Sequence, residues 1–383
     1  MCETTPAGGF VRLLKGTYIL WCLAFFASCG SPKEKKEHDE GGEFKKHALN
    51  PIYAKGFTVY ENETTIRLTS RNPDDTTQIY KVLEFSKKDL PFKKVAITST
   101  THAFLFDAIG ANDVIKGMSA MAYLLDSNLK ATYSKNGVIE LGKDDNLNRE
   151  VIVKLNPQIL MVYPCPGCDY SVYEKAGITV VNNAEYMEQS PLGRAEWIKV
   201  AGLLSGRETE AKAYFKKISG EYYSLTNFQF HYDAGKKIDV ILGKPIDNTW
   251  HVPGENSFAA KLIRDAGAHY VFEGVEGTNV TAEPVEWIIK KAVIAEFWVF
   301  TDYSQNEITI KNLVSQNKVY KALYPVQIKN VIVCNSAKDD FFGKAVIEPH
   351  ILLKDLIYTF QGYIGDFPDS SYKPKYFKKI KEK

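Results

Sequence analysis

In the first half of the chain, apolar residues follow two patterns that alternate along the sequence. Continuous apolar runs at 95–98 and 159–163 neighbour stretches at 148–155 and 170–176 in which apolar residues recur every three or four positions. Short continuous runs are typical of buried strands, and the longer spacing is typical of amphipathic helices. The alternation predicts βα units around a mainly parallel sheet, which we assign to an N-terminal lobe at 94–190.

The same alternation returns in the second half of the chain. It predicts strands at 238–242, 296–300 and 331–334 and helices at 257–267, 283–292 and 351–360. Pro284 is expected in the first turn of its helix, where a missing N–H costs no hydrogen bond. We therefore expect a second α/β lobe at 231–362.

Two segments of the first lobe have counterparts in the second. IGANDVIKG at 109–117 matches AGAHYVFEG at 266–274, and EVIVK at 150–154 parallels EWIIK at 286–290. Helix–glycine–strand units are common, so chance similarity is one interpretation, but two matches in the same order favour homologous lobes. The predicted fold class is α/β, with two similar lobes and mainly parallel sheets.

The segment between the lobes contains no strand-like run. Ser190 is a suitable N-cap, and Pro191 suits the first helical position. Further on, the apolar positions 211, 215, 218, 222 and 225 keep to one helical face. We predict a long interlobe helix over 191–230.

Smaller segments flank the two lobes. Runs rich in β-forming residues at 57–60, 64–69 and 79–85, separated by turn residues, predict a small antiparallel β extension at 57–93. Residues 363–383, after the last helix, are predicted to be a polar tail.

The first residues resemble a bacterial lipoprotein signal. Arg12 and Lys15 precede an apolar run at 18–27, which at about ten residues is too short to span a membrane. FASC at 26–29 is similar to a lipobox, with phenylalanine in place of the usual leucine. The small residues before the cysteine would give a signal peptidase access to the bond that it cleaves.

This resemblance implies that 1–28 is a lipoprotein signal peptide and that Cys29 is lipidated. The alternative is an ordinary cleaved signal followed by a free cysteine. Residues 29–56 are predicted to be a flexible tether, because 30–50 are polar and cannot bury a core. We expect a membrane-anchored lipoprotein of the cell envelope that faces the periplasm.

Length and composition add three constraints. The chain of 383 residues exceeds the usual length of a single domain, about 100–200 residues, which agrees with two lobes. A net charge of +2 provides no field suited to nucleic acid. Aromatic residues make up 13% of the chain, which suits a binding cleft and equally a tyrosine-rich surface.

Several segments within 94–362 resemble, in this order, the periplasmic binding proteins that serve ABC importers of ferric siderophores, haem and cobalamin. They are STTHAFLFDAIGANDVIKGMS, DNLNREVIVKLNPQILMVY, AEYMEQSPLGRAEWIKVAGLLSGRETEA, TWHVPGENSFAAKLIRDAGA and EPHILLKDLI. The resemblance implies a monomer that captures a metal chelate between its lobes without a cofactor or catalysis. Its partners would be a permease and ATPase complex, and a lipid anchor would keep it close to them.

Ligands of open α/β sheets bind outside the carboxyl ends of the strands. This rule places one wall of the cleft at Thr100, His102, Met121, Tyr163, Cys165, Asn183 and Tyr186. The other wall is expected at Trp250, Tyr303, Phe341 and Phe342. Each of these residues has an alternative place in the core or on the surface, and His102 is equally suited to capping a helix. Aromatic walls suit large flat macrocycles or catecholates.

The CPGC sequence at 165–168 has three interpretations. A Cys-x-x-Cys between a strand and a helix is the arrangement of thioredoxin-like redox sites. Cys165 and Cys168 are otherwise a loop disulfide or plain thiols, or they contact a ligand or metal. The rival functions are therefore a lipid-anchored thiol-disulfide oxidoreductase and a structural surface lipoprotein. The few scattered histidines argue against a bare-metal site.

Two glutamates match, by position in the motifs, the surface residues with which such binding proteins meet arginines of a permease. They are Glu150 in NLNREVIVKLNP and Glu286 in EPVEWIIKKA. The alternative is that each carboxylate, in the first turn of its helix, complements the helix dipole.

Overall fold

The computed structural model describes residues 42–143, 146–165, 167–229, 237–246, 249–364 and 371–383. The predicted signal peptide, Cys29 and the first part of the predicted tether lie outside these residues. No helix within these ranges combines the length and the apolar character needed to cross a membrane.

An antiparallel sheet comes first, in the order β1-β2-β3-β4, which confirms the predicted β extension. Its strands are β1 Lys45–Lys46, β2 Phe57–Glu61, β3 Thr65–Arg71 and β4 Ile79–Ser86. The predicted tether at 29–56 is too long, because β1 pairs with β2 and the side chain of Leu49 is completely buried. Part of this otherwise polar segment is therefore packed against the fold.

The N-terminal lobe is built on a five-stranded sheet in the order β11-β10-β5-β6-β7, in which every pairing is parallel. Its elements are β5 Val95–Ile97, α1 Thr100–Asp107, β6 Ile115–Met118, α2 Ser127–Lys135, β7 Ile139–Glu140, β8 Gly142–Lys143, β9 Asn146–Leu147, α3 Arg149–Leu155, β10 Ile159–Val162, α4 Ser171–Lys175 and β11 Thr179–Asn182. β5 and β10 are buried along their whole length, as their continuous apolar runs predicted.

The described part of the interlobe segment, 191–229, is largely helical, but it is not one helix. It consists of α5 Pro191–Glu196, α6 Ile198–Ser205 and α7 Glu208–Gln229. Gly206 adopts a left-handed conformation with φ of 70°, and its N–H bonds to the carbonyl of Gly202, which ends α6. Ser190 caps α5 through the N–H of Gly193, as predicted.

The C-terminal lobe has a second five-stranded sheet in the order β15-β12-β17-β18-β19 and a small antiparallel sheet in the order β13-β14-β16. Its elements are β12 Asp239–Leu242, β13 Pro245–Ile246, β14 Thr249–Pro253, α8 Phe258–Asp265, β15 His269–Tyr270, β16 Val280–Pro284, α9 Val285–Lys291, β17 Phe297–Asp302, α10 Ile310–Gln316, α11 Tyr324–Gln327, β18 Val331–Asn335, α12 Pro349–Ile364 and β19 Lys378–Lys379. Pro284 ends β16 and precedes α9, one residue before its predicted place in the helix.

Four strands follow the same order in the two five-stranded sheets. β5 or β12 pairs with β6 or β15 on one side and with β10 or β17 on the other, and β11 or β18 lies beyond the latter strand. The fifth strand differs, since β7 pairs parallel with β6 and β19 pairs antiparallel with β18. The matched glutamate segments form α3 and α9, which precede β10 and β17, the equivalent strands of the two sheets. The two similar lobes predicted from the internal repeat are confirmed.

The predicted polar tail at 363–383 is also wrong. β19 pairs antiparallel with β18, and Tyr376 is completely buried. The carboxylate of Asp355 accepts hydrogen bonds from the N–H groups of Lys375, Tyr376 and Phe377 at 3.0, 2.6 and 3.0 Å. The end of the chain therefore completes the second lobe.

Candidate functional site

A cavity of about 340 Å³ lies among residues that follow strands of both five-stranded sheets. Its lining consists of Thr101, Glu185, Tyr186, Pro191, Arg194, Phe258, Phe341, Phe342, Ala345, Val346, Pro349 and Leu352. The first lobe, helix α5 and the second lobe all contribute, so the cavity is an interlobe cleft. This is the place where ligands of open α/β sheets bind.

The two lobes touch each other beside this cleft. Thr100 Oγ1 in the first lobe donates a hydrogen bond of 2.6 Å to the carbonyl of Phe342 in the second. Lys344 Nζ lies 3.6 Å from Asp126 Oδ2, which forms an ion pair across the same boundary. Thr100 is thus a contact between lobes, whereas its neighbour Thr101 lines the cavity.

The second lobe supplies an aromatic wall. The rings of Phe341 and Phe342 meet edge to face at 5.2 Å, and Phe342 is 64% exposed. The guanidinium of Arg194 lies 3.9 Å above the ring of Phe258, which is a cation–π distance. These rings offer a large apolar surface to a ligand at small conformational cost.

The lining also contains the polar side chains of Thr101, Glu185 and Arg194. Glu185 is 2% exposed, and its Oε1 accepts a hydrogen bond of 2.5 Å from Thr101 Oγ1. Burial raises the pKa of Glu185 above its usual range. Burial also lowers the pKa of Arg194 to about 10, so its guanidinium remains a cation at neutral pH. Arg194 donates to the carbonyls of Glu188 and Tyr186.

Of the ligand-contact residues predicted from the sequence, the structure places Tyr186, Phe341 and Phe342 in this lining. The phenol of Tyr186 donates a hydrogen bond of 2.6 Å to the carbonyl of Pro164. Tyr163 and Met121 are half-buried outside the lining, and the ring of Tyr163 meets that of Tyr186 edge to face.

Three predicted contact residues are completely buried and cannot touch a ligand in this conformation: His102, Asn183 and Trp250. His102 lies in α1, a helix whose central residues are all buried, and burial lowers its pKa to about 3. Trp250 lies on an inward position of β14 and donates to the carbonyl of Leu242. Asn183 accepts a hydrogen bond from the N–H of Glu185 and so supports the loop behind the cleft.

Tyr303 was also expected in the wall but lies outside the lining with 65% of its surface exposed. Sequence reasoning missed Thr101, Glu185, Arg194 and Phe258. Thr101 and Glu185 could have been found, since each stands within a few residues of a predicted strand end. Arg194 and Phe258 are helical residues, and a rule based on strand ends does not reach them.

Cys165 and Cys168 form a disulfide, one of the interpretations left open by the sequence. The loop that contains the two cysteines lies outside the cavity lining. It is linked to Tyr186, whose phenol donates a hydrogen bond to the carbonyl of Pro164. Cys334 is a buried free thiol. No group of three or more His, Cys, Asp or Glu side chains suited to a metal ion occurs in the described part of the chain.

Glu150 and Glu286 are both exposed. Each stands in the first turn of its helix, α3 or α9, and these helices occupy equivalent places in the two lobes. The geometry is compatible with paired docking contacts and with dipole-complementing charges alike.

No family model matches the chain. An uncharacterized lipoprotein of Methanocaldococcus jannaschii is 27% identical over 316 residues, which cover 78% of this chain and 73% of that protein. A second uncharacterized protein of the same organism is 24% identical over 253 residues, covering 62% of this chain and 72% of that protein.

Solved structures with a similar fold are periplasmic binding proteins. One from Veillonella parvula has a TM-score of 0.57 at 14% identity, covering 74% of this chain and 95% of that chain. A periplasmic heme-binding protein from Pseudomonas aeruginosa has a TM-score of 0.56 at 16% identity, with 73% and 95% covered. An ABC-type Fe3+-hydroxamate transport protein from Saccharomonospora viridis has a TM-score of 0.55 at 16% identity, with 73% and 96% covered. The chain has the two-lobed α/β fold of these proteins, as the resemblance implied.

Proposed function

We propose that this protein is the substrate-binding component of an ABC importer and that it captures a metal chelate between its lobes. The observation that carries this proposal is the interlobe cleft at the ends of two sheets that share the order of four strands. The aromatic wall of Phe258, Phe341 and Phe342 suits the flat or bulky organic part of a chelate. The names of the structural neighbours, which include heme and Fe3+-hydroxamate, support the same class of ligand.

A chelate should stabilise the folded protein. At a concentration 100 times its Kd, binding adds about 2.7 kcal/mol to the free energy of unfolding. Protein from native cells should also carry a chelate that its visible spectrum and mass identify. A melting temperature that no siderophore, corrin or haem raises, together with a colourless and ligand-free native preparation, would contradict the proposal.

The cleft itself can be tested in the same assay with two exposed aromatic residues. Phe342→Ala removes part of the wall and is expected to weaken chelate binding by about fivefold to tenfold. Tyr303→Ala removes an equally exposed ring outside the lining and should leave the affinity unchanged.

We also propose that Cys29, which lies outside the described part of the chain, carries the lipid that holds the protein at a membrane. The relative from Methanocaldococcus jannaschii is named a lipoprotein, which supports this assignment. An anchored binder stays near its permease at high effective concentration.

Replacing this cysteine should release the protein. Cys29→Ser is expected to abolish labelling with palmitate and to move the protein into the soluble fraction. Cys22→Ser, within the apolar run of the signal, is the matched control and should keep both properties. Continued labelling of the Cys29→Ser protein would show that the lipid is attached to another residue.

A further inference from the structure

The segment at 341–346, which we call the wall segment, belongs to the second lobe but is held against the first. Four of its six residues line the cavity. Thr100 Oγ1, at the start of α1, donates a hydrogen bond of 2.6 Å to the carbonyl of Phe342. Lys344 Nζ lies 3.6 Å from Asp126 Oδ2. The wall segment therefore forms part of the cleft and also bridges the two lobes.

Close packing accompanies these two polar contacts. Gly343 lies so near to α1 that a methyl group on its Cα would be 2.9 Å from Phe104 Cε2 of the first lobe. Phe104 is completely buried, and Lys344 Nζ lies 6.0 Å from the centre of its ring. The absence of a side chain at Gly343 is what allows the wall segment to approach α1 so closely.

The partners in the first lobe are held in place by their own helices. Asp126 Oδ1 caps α2 by accepting hydrogen bonds of 2.9 and 3.0 Å from the N–H groups of Asn128 and Leu129, and Oδ2 faces Lys344. Thr100 is the first residue of α1, which Ser99 caps. A movement of the wall segment away from the first lobe would therefore stretch both polar contacts.

The cavity is small for a metal chelate. Its volume of about 340 Å³ lies near the lower limit of pockets for small molecules, which is about 300–1,000 Å³. A chelate built on a macrocycle or on three chelating arms needs more room than this. Widening the cleft between the wall segment and the first lobe would provide that room and would separate Phe342 from Thr100.

We propose that the contacts Thr100–Phe342 and Asp126–Lys344 form a latch, which closes the cleft in the ligand-free protein and opens to admit a chelate. This proposal rests on the proposed function of the cleft. When a ligand binds only the open state, its apparent affinity is reduced by the fraction of molecules that are open. A weaker latch should therefore raise the association rate and the affinity and leave the dissociation rate unchanged.

The variant Thr100→Val/Lys344→Met removes both polar contacts and keeps side chains of similar size. Stopped-flow fluorescence measures how ferrichrome (a cyclic peptide trihydroxamate), cyanocobalamin and hemin bind to and leave the full-length protein. For each of these that binds the wild type, the association rate and the affinity are expected to rise by about threefold to tenfold. A lower affinity caused by faster dissociation would make the two residues positioning residues of the wall and overturn the latch. Unchanged rates would overturn it as well.

The control variant Lys244→Met/Thr359→Val makes the same two replacements within the second lobe. It removes an ion pair of 2.8 Å with Asp302 and a hydrogen bond of 2.9 Å from a threonine hydroxyl to the carbonyl of Asp355. Its association and dissociation rates should equal those of the wild type. Equal acceleration in the control would show that the gain does not come from the contacts between the lobes, and the latch would be rejected.

Hydrogen–deuterium exchange of the ligand-free protein tests the latch without a chelate. The N–H groups of Gly343, Ala345 and Val346 are hydrogen-bonded within the second lobe and can report on the wall segment. They should exchange faster in Thr100→Val/Lys344→Met than in the wild type and the control, because the closed state protects them. Exchange at the wild-type rate would overturn the latch. If none of the three chelates binds the wild type, the proposed function fails, and the exchange rates still decide whether the latch exists.

Discussion

Glu196→Gln is expected to lower the free energy of unfolding by about 3–5 kcal/mol, because it breaks a buried ion pair and strands its partner. Glu196 is completely buried, and its Oε1 lies 2.6 Å from Nζ of Lys199, which is also buried. The same carboxylate accepts hydrogen bonds from the N–H groups at 52–54, the shortest of which is 2.6 Å from Tyr53. The side-chain amide of glutamine would place its own N–H group against one of these N–H donors. It would also remove the negative charge that pairs with Lys199.

Urea unfolding followed by tryptophan fluorescence measures this change. Glu63→Gln is a matched control, because Glu63 is exposed and its replacement should alter the free energy of unfolding by less than about 0.5 kcal/mol. Equal midpoints for wild type and Glu196→Gln, with equal slopes, would show that the carboxylate contributes little to folding.

The position of Glu196 explains why the N-terminal extension is part of the fold. Glu196 lies at the end of α5, between the lobes, and Glu188 precedes the same helix. Together they accept the five successive N–H groups from Ile52 to Gly56. The extension is thereby fastened to the connection between the lobes through its backbone.

Periodicity was sufficient to predict the two lobes. A buried strand such as β10 is continuously apolar, and apolar residues recur every three or four positions in the helices around it. The local pattern therefore agrees with the burial in the structure. The internal repeat added the equivalence of α3 and α9, which the shared strand order confirms.

Local pattern failed where distant partners decide the structure. Residues 42–56 and 371–383 are mostly polar. Backbone N–H groups of the first segment bond to carboxylates more than a hundred positions away, and those of the second bond to a carboxylate about twenty positions away. A sequence pattern does not show which glutamate or aspartate will be buried to accept them. The break at Gly206 was overlooked for a different reason, since the apolar face continues on both sides of it.

The site was only partly predictable for a geometric reason. The rule that ligands bind at the carboxyl ends of strands fixes a region, not the direction of each side chain. Trp250 lies at an inward position of β14, and His102 is one of the buried central residues of α1, so both side chains belong to the core. The aromatic pair at Phe341 and Phe342 was found because it follows the predicted strand at 331–334, and both residues line the cavity.

Reversing the charge of Glu150 and Glu286 together is expected to abolish uptake and transporter-stimulated ATP hydrolysis while leaving ligand affinity unchanged. Both carboxylates are exposed, in the first turns of α3 and α9, and these helices are equivalent in the two lobes. A permease with approximate two-fold symmetry would need one equivalent anion from each lobe. Ion pairs at such a rim mainly set orientation and association rate, so arginine at both places opposes docking directly.

The variant Glu150→Arg/Glu286→Arg should remain folded, because the lost interaction of each carboxylate with its helix dipole is about 0.3–1 kcal/mol. The control Glu63→Arg/Glu276→Arg makes the same change in net charge at two exposed glutamates outside α3 and α9, and it should transport normally. Reconstituted permease and ATPase in vesicles, supplied with loaded binding protein, measure uptake and ATP hydrolysis together. Transport that survives the reversal would leave both glutamates as charges that complement helix dipoles, and docking would then depend on another surface. A loss of transport in the control as well would point to a general effect of net charge, because the two double variants differ only in where the arginines are placed.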